Sequence, residues 1–169
     1  MRELQLVEQT NEYNCGAAAL AMILGLSDPG EVEREHMGRE CSTSHADRGM
    51  TPGQVGVFID EAQRVLFEAG IPSVVYVDHD RCTAAGAWVC SVWDRVRIAE
   101  SDFLRKHLAN GGTAMLTVPS LNTPGGEHWI VAAGNKVLDP SRGKKYRVYS
   151  EIPKLGGALM VGAPGTKEN

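Results

Sequence analysis

Small apolar residues fill positions 16–26 almost without interruption, and the stretch just ahead of them, Thr10 to Asn14, is polar and turn-prone. Ala17, Ala18, Ala19, Leu20, Ala21, Met22, Ile23 and Leu24 favour helix. A buried helix is therefore predicted over Gly16 to Leu26, with Cys15 at the junction between loop and helix. Ser27-Asp28-Pro29-Gly30 marks a turn, followed by a short charged helical stretch from Glu31 to Met37 and a polar loop to Gly49. Thr51-Pro52 is a helix start. Val55, Phe58, Ile59, Ala62, Leu66 and Ala69 then recur at helical spacing up to Gly70, with Pro72 just beyond.

The second half of the chain changes period. Ser73 to Val77 is a β-branched strand, and Trp88 to Ile98 holds one or two further strands, or a strand and a loop. Ser101 caps a helix from Asp102 to Ala109, ended by Asn110-Gly111-Gly112, and Thr113 to Val118 is an apolar strand closed by Pro119. His128 to Ala133 and Lys136 to Asp139 flank Gly134-Asn135, a hairpin turn signal, and Pro140 follows. Tyr146 to Tyr149 and Ala158 to Val161 supply two more short strands. Helices first and strands afterwards argue for an α+β domain rather than a doubly wound sheet. No internal repeat or low-complexity segment interrupts the pattern.

Composition narrows the classes. A chain of 169 residues with 43% hydrophobic content is sized for one domain, 1–169, with a genuine core. The net charge of −4 and scattered lysines and arginines offer no basic field, so no nucleic-acid partner is expected. The N-terminus has acidic residues and lacks an apolar stretch of signal-peptide length, and no run is long enough to cross a bilayer, so a soluble, cytoplasmic protein without a membrane span is expected.

The four cysteines, Cys15, Cys41, Cys82 and Cys90, are too few and too irregular for a disulfide framework, and reduced thiols are the default. His36, Cys41 and His45 lie close together, but their spacing matches no standard zinc finger and Arg39 to Gly49 reads as an exposed loop, so no metal is assigned. Cys82 and Cys90 read as core or loop-packing thiols, and His79 and His107 as surface residues.

Cys15 carries the first candidate chemistry. The positive end of the helix dipole and the unsatisfied N–H groups of the first turn favour a thiolate there, and the same N–H groups can hold an oxyanion. Gly16 keeps the space beside the sulfur free of a Cβ. Gln9 can aim a carboxamide N–H at the same point if the loop folds back, completing a two-donor hole. A small buried thiol capping a core helix is the competing interpretation.

The second constellation lies in GGEHWIVAAGNKVLDPS. The hairpin brings His128, at the start of one strand, near Asp139, at the end of the next. A cysteine nucleophile needs an imidazole to manage its proton, and a carboxylate on the other ring nitrogen fixes the tautomer. Cys15, His128 and Asp139 supply those roles. Against this stand a strand-edge histidine without duty and an ordinary Asp-Pro turn. Trp129 reads as sheet core, with shielding of the site from water as a lesser alternative, and Gly125-Gly126 as a tight loop.

Gln9, Cys15-Gly16 before alanines, His128-Trp129-Ile130-Val131 and Val137-Leu138-Asp139-Pro140 together resemble the papain-like cysteine peptidases, and within them the bacteriocin-processing group that removes double-glycine leader peptides. The resemblance covers most of residues 4–162, including Thr51 to Val77 and Ser101 to Val118. It implies a papain-like fold, N-terminal helices packed against a C-terminal antiparallel sheet. It also implies Cys15 as nucleophile, His128 as general acid–base, Asp139 as its orienter and Gln9 as the side-chain half of the oxyanion hole. Transporter-linked members continue into a membrane span and an ATPase, whereas this chain ends at Asn169, so a stand-alone domain is expected.

The expected activity is hydrolysis of a peptide or amide bond in a peptide or protein substrate through a thioester, with no metal or organic cofactor. Capture of that thioester by an amine, as in an acyltransferase or transglutaminase-like enzyme, and a non-catalytic peptide binder are the alternatives. The oligomeric state is left open.

Overall fold

In a computed structural model, which describes residues 3–41, 56–77, 102–153 and 155–162, the apolar run after Asn14 forms helix α1 (Cys15–Leu24). Its residues from Cys15 to Met22 are all buried, which explains why the run carries no polar face. The helix stops two residues before Leu26 because Gly25 turns left-handed at φ 75°, letting the Leu26 N–H reach back to the Ala21 carbonyl at 2.9 Å.

Asp28 caps the next turn by accepting from the Gly30 N–H at 2.9 Å. That turn, α2 (Pro29–Glu31), passes into a π-helical stretch over Val32–Met37 that ends at left-handed Gly38. The expected charged helix is therefore present, but underwound to π geometry over Val32–Met37.

Helix α3 (Ile59–Glu68) starts later than its apolar spacing implied. Thr51 to Val55 lie outside the described residues, and Phe58 is extended at φ −85°, ψ 156°. The reason is tertiary: the Val57 carbonyl accepts the Trp129 indole N–H at 2.8 Å, a bond a buried indole requires. Ala62, Val65 and Leu66 face the core.

Strands β1 (Ser73–Val77), β2 (Thr113–Pro119), β3 (Glu127–Ala133), β4 (Lys136–Leu138) and β5 (Gly157–Val161) form one antiparallel sheet in the order β1-β5-β2-β3-β4. Tyr146 to Tyr149 is not a strand. Val148 makes a single bridge to Lys136 and Tyr149–Glu151 forms a 3-10 turn. The Tyr146 and Arg147 N–H groups are drawn to the carboxylates of Asp139 and Glu151 instead of a ladder.

Helix α4 (Asp102–Ala109) matches its expected span, while Ser101 and the Trp88 to Ile98 segment fall outside the described residues. His107 on this helix is half-buried, not a free surface group: its Nε2 lies 2.8 Å from the Thr113 carbonyl. Its ring occupies the space a Cβ on Gly112 would need, at 2.4 Å.

The sheet is covered on both faces. Met115, Trp129, Val131 and Leu159 pack with α1 and α3, whereas Leu116, Val118, Ile130 and Met160 pack with Leu104 and Leu108 of α4. Alternate residues of each strand thus serve two cores, which is why β2 and β3 read as nearly continuous apolar runs. Among the described residues no helix is long and apolar enough to cross a membrane.

Candidate active site

Continuing the β3–β4 register past Leu138 brings residues 139 to 141 alongside the first residues of β3. His128 Nε2 there lies 2.8 Å from Asp139 Oδ1, and both side chains are buried. The carboxylate is held from three directions, since Oδ1 also accepts the Ser141 N–H at 2.9 Å and Oδ2 accepts the Tyr146 N–H at 2.8 Å. Burial alone would raise the Asp139 pKa, but the His128 hydrogen bond and these backbone donors outweigh it and hold the carboxyl below its ordinary value.

Cys15 is the first residue of α1 and only 7% exposed. Its thiol lies near enough to the His128 ring to influence the ring's charge. Nε2 is occupied by Asp139, so Nδ1 is the nitrogen left for the sulfur. Burial opposes a charge on the ring, yet the Asp139 hydrogen bond and the charges of Asp139 and Cys15 prevail and raise the His128 pKa to about 9. A thiol, an imidazole and a carboxylate from positions 15, 128 and 139 therefore lie together in one buried cluster, with the imidazole hydrogen-bonded to the carboxylate.

The loop before α1 is built by Asn14, which is fully buried. Its Oδ1 accepts the N–H groups of Thr10 and Asn11 at 3.0 and 3.1 Å, and its Nδ2 donates to Thr10 Oγ1 at 2.7 Å. This folds the loop back, as the Gln9 proposal required. The Gln9 backbone N–H donates to the Pro140 carbonyl at 2.9 Å, placing the residue beside Asp139. Its Nε2 donates one proton to the Asn11 carbonyl at 3.0 Å, leaving a second proton uncommitted by that bond, and its buried Oε1 has no partner among the described residues.

Gly16 is needed for a different reason from the one expected. A Cβ there would lie 2.5 Å from Val57 Cβ and 2.9 Å from Trp129 Cδ1. The open space beside Cys15 is thus taken up by the Trp129–Val57 contact, which seats the start of α1 against β3.

By sequence, no family model matches the chain, and no curated protein does. Solved structures do match by shape. The peptidase domain of Streptococcus ComA, described as a bi-functional ABC transporter involved in a quorum-sensing pathway, superposes with a TM-score of 0.53 at 15% identity, covering 95% of this chain and 98% of that one. A double-glycine motif protease from an AMS/PCAT transporter, in complex with its leader peptide, gives a TM-score of 0.52 at 16% identity, covering 94% and 91%. This chain has the papain-like peptidase fold.

Within that peptidase fold, three residues near the centre carry no obvious signal in the sequence. Ser141 places its Oγ 2.9 Å from His128 Nε2, Asn14 organises the loop, and Tyr146 helps to hold Asp139. Ser141 and Tyr146 act through a turn whose course depends on Pro140, and only the Asp-Pro step announces it. Asn14, next to Cys15, was readable as a turn residue but not as the buried hub of that turn.

Cys41 is fully buried, contrary to the exposed loop expected around it. Its N–H donates to Glu33 Oε1 at 3.0 Å, and burial, reinforced by Glu33, pushes its thiol pKa up, which makes it an inert packing group. Arg39 forks onto the Glu61 carboxylate and donates to the Gly56 carbonyl at 3.0 Å, fixing the residue before Val57. Among the described residues no three His, Cys, Asp or Glu side chains gather as a metal site, and His45 lies outside them, as do Cys82, Cys90 and His79.

Proposed function

We propose that this protein is a cysteine peptidase, a single domain over 1–169, that hydrolyses peptide bonds through a thioester. The observation that carries the proposal is the buried His128 ring, hydrogen-bonded to Asp139 and neighboured by Cys15 at a helix N-terminus. The peptidase fold supports it independently.

The chemistry follows from the positions. The Cys15 thiolate attacks the carbonyl carbon, forming a C–S bond, and the oxygen gathers negative charge beside the Cys15 backbone N–H and the remaining Gln9 amide proton. His128 gives its Nδ1 proton to the departing amine as the C–N bond breaks. Water then adds to the thioester while Nδ1 takes up its proton, the C–S bond breaks and the carboxylate product leaves. Asp139 keeps Nε2–H in place throughout, so one imidazole serves as acid and then as base.

A peptide is the substrate class. One structural neighbour is held in complex with a leader peptide, which makes a double-glycine leader the first sequence to offer. Cys15 and Cys41 are free thiols, the state a reducing cytoplasmic setting maintains. Incubation of the parent and Cys15→Ala proteins with such a peptide, followed by mass spectrometry, tests the proposal. Cleavage by the parent and none by the variant is expected; undiminished cleavage by Cys15→Ala overturns it.

A further inference from the structure

Two side-chain oxygens reach the same nitrogen of His128. Asp139 Oδ1 lies 2.8 Å from Nε2 and Ser141 Oγ lies 2.9 Å from it. That nitrogen carries at most one proton. Asp139 decides where the ring keeps it, because an unprotonated Nε2 would set its lone pair against a carboxylate. The Ser141 hydroxyl is then an acceptor that shares the Nε2–H with Asp139.

The arrangement is fixed from the backbone as well. The Ser141 N–H donates to Asp139 Oδ1 at 2.9 Å, and the residue is 4% exposed, so its short side chain has little freedom to turn elsewhere. Pro140 between them restricts Asp139 to an extended backbone and sets the turn that returns Ser141 to the ring.

We infer that Ser141 is a positioning residue of the peptidase site: its hydroxyl is the second acceptor for His128 Nε2–H, holding the ring rotation that leaves Nδ1 free to serve Cys15. The inference rests on the peptidase proposal for its catalytic consequence, but the bond to the ring can be read without catalysis. An imidazole held by one acceptor keeps its tautomer and loses its second angular restraint. It also loses part of the stabilisation of its charged form.

The test compares the parent with Ser141→Ala and Ser141→Thr. Ring-proton NMR titrates His128 directly, and the rate of Cys15 alkylation by iodoacetamide is followed across pH. Ser141→Ala is expected to lower the His128 midpoint by about half to one pH unit and to slow alkylation at neutral pH about three- to tenfold, the scale of one shared charge-assisted hydrogen bond. Ser141→Thr, which keeps the hydroxyl, is expected to restore both. An unchanged His128 midpoint in a folded Ser141→Ala protein overturns the inference, as does a folded Ser141→Thr protein that behaves like Ser141→Ala. A lowered midpoint without any cleavage by the parent would leave the Ser141 contact standing and count against the peptidase proposal alone.

Discussion

The backbone N–H of Gln9 donates to the carbonyl of Pro140 at 2.9 Å, so the segment leading into Cys15 is tied to the residue that follows Asp139. This one bond joins the two halves of the site. Lys145 adds an outer link, donating to Glu8 at 2.7 Å, but that pair is exposed and contributes little to stability. The inner bond is the one that sets Gln9 beside the Cys15–His128–Asp139 cluster.

The shifted histidine makes stability depend on pH. His128 rises from an ordinary value of 6.5 to about 9 in the folded protein. The folded state holds the proton more tightly, so this contribution is whole below about 6.5 and is lost as pH climbs through about 9. Asp139 works in the opposite sense: its lowered pKa contributes above the ordinary value of 3.8 and fails as pH falls through the folded value. Urea midpoints measured across pH should decline at both ends, and Cys15→Ala should soften the alkaline decline. A curve that stays flat from pH 6.5 to 9 would contradict this assignment of charge.

Asp139→Asn separates shape from charge. The amide can still accept from His128 and Ser141, but its nitrogen then faces the Tyr146 N–H, a donor against a donor. A loss of about 1–3 kcal/mol in stability is expected from that buried, unpaired N–H, together with a lower His128 pKa. Denaturant unfolding and ring-proton NMR measure the two effects, and a variant as stable as the parent with an unmoved histidine would refute both.

Gly16→Ala should destabilise the fold by about 1–3 kcal/mol, because its methyl group would overlap Val57 and Trp129. Trp129 fluorescence should report the displaced indole during thermal unfolding. Parent-like stability would show that the contact between α1 and the Val57 segment is loose.

Much of this site was legible because its signals are local. A polar loop meeting an alanine-rich run marks Cys15 without knowledge of the fold, and Gly134-Asn135 between two apolar runs brings His128 and Asp139 together by hairpin geometry alone. The strands over Ser73–Val77 and Thr113–Pro119 and the helix over Asp102–Ala109 followed from period and punctuation in the same way. What the pattern did not carry was long-range competition for hydrogen bonds. Val57 leaves the expected helix to receive Trp129, Tyr146 leaves an expected strand to serve Asp139, and Cys41 is buried because Glu33 captures its N–H. Gly16 was assigned open space beside sulfur, but the residues that need that space are 41 and 113 positions away in the chain.

The most direct measurement is modification by a thiol-directed peptide electrophile at neutral pH, mapped by mass spectrometry in the parent and in His128→Ala. Cys15 is predicted to react well ahead of Cys41, Cys82 and Cys90, and to slow by about a hundredfold when the imidazole is removed. Modification of Cys15 no faster than the other three, or at the same rate without His128, would contradict a functional site built on these residues.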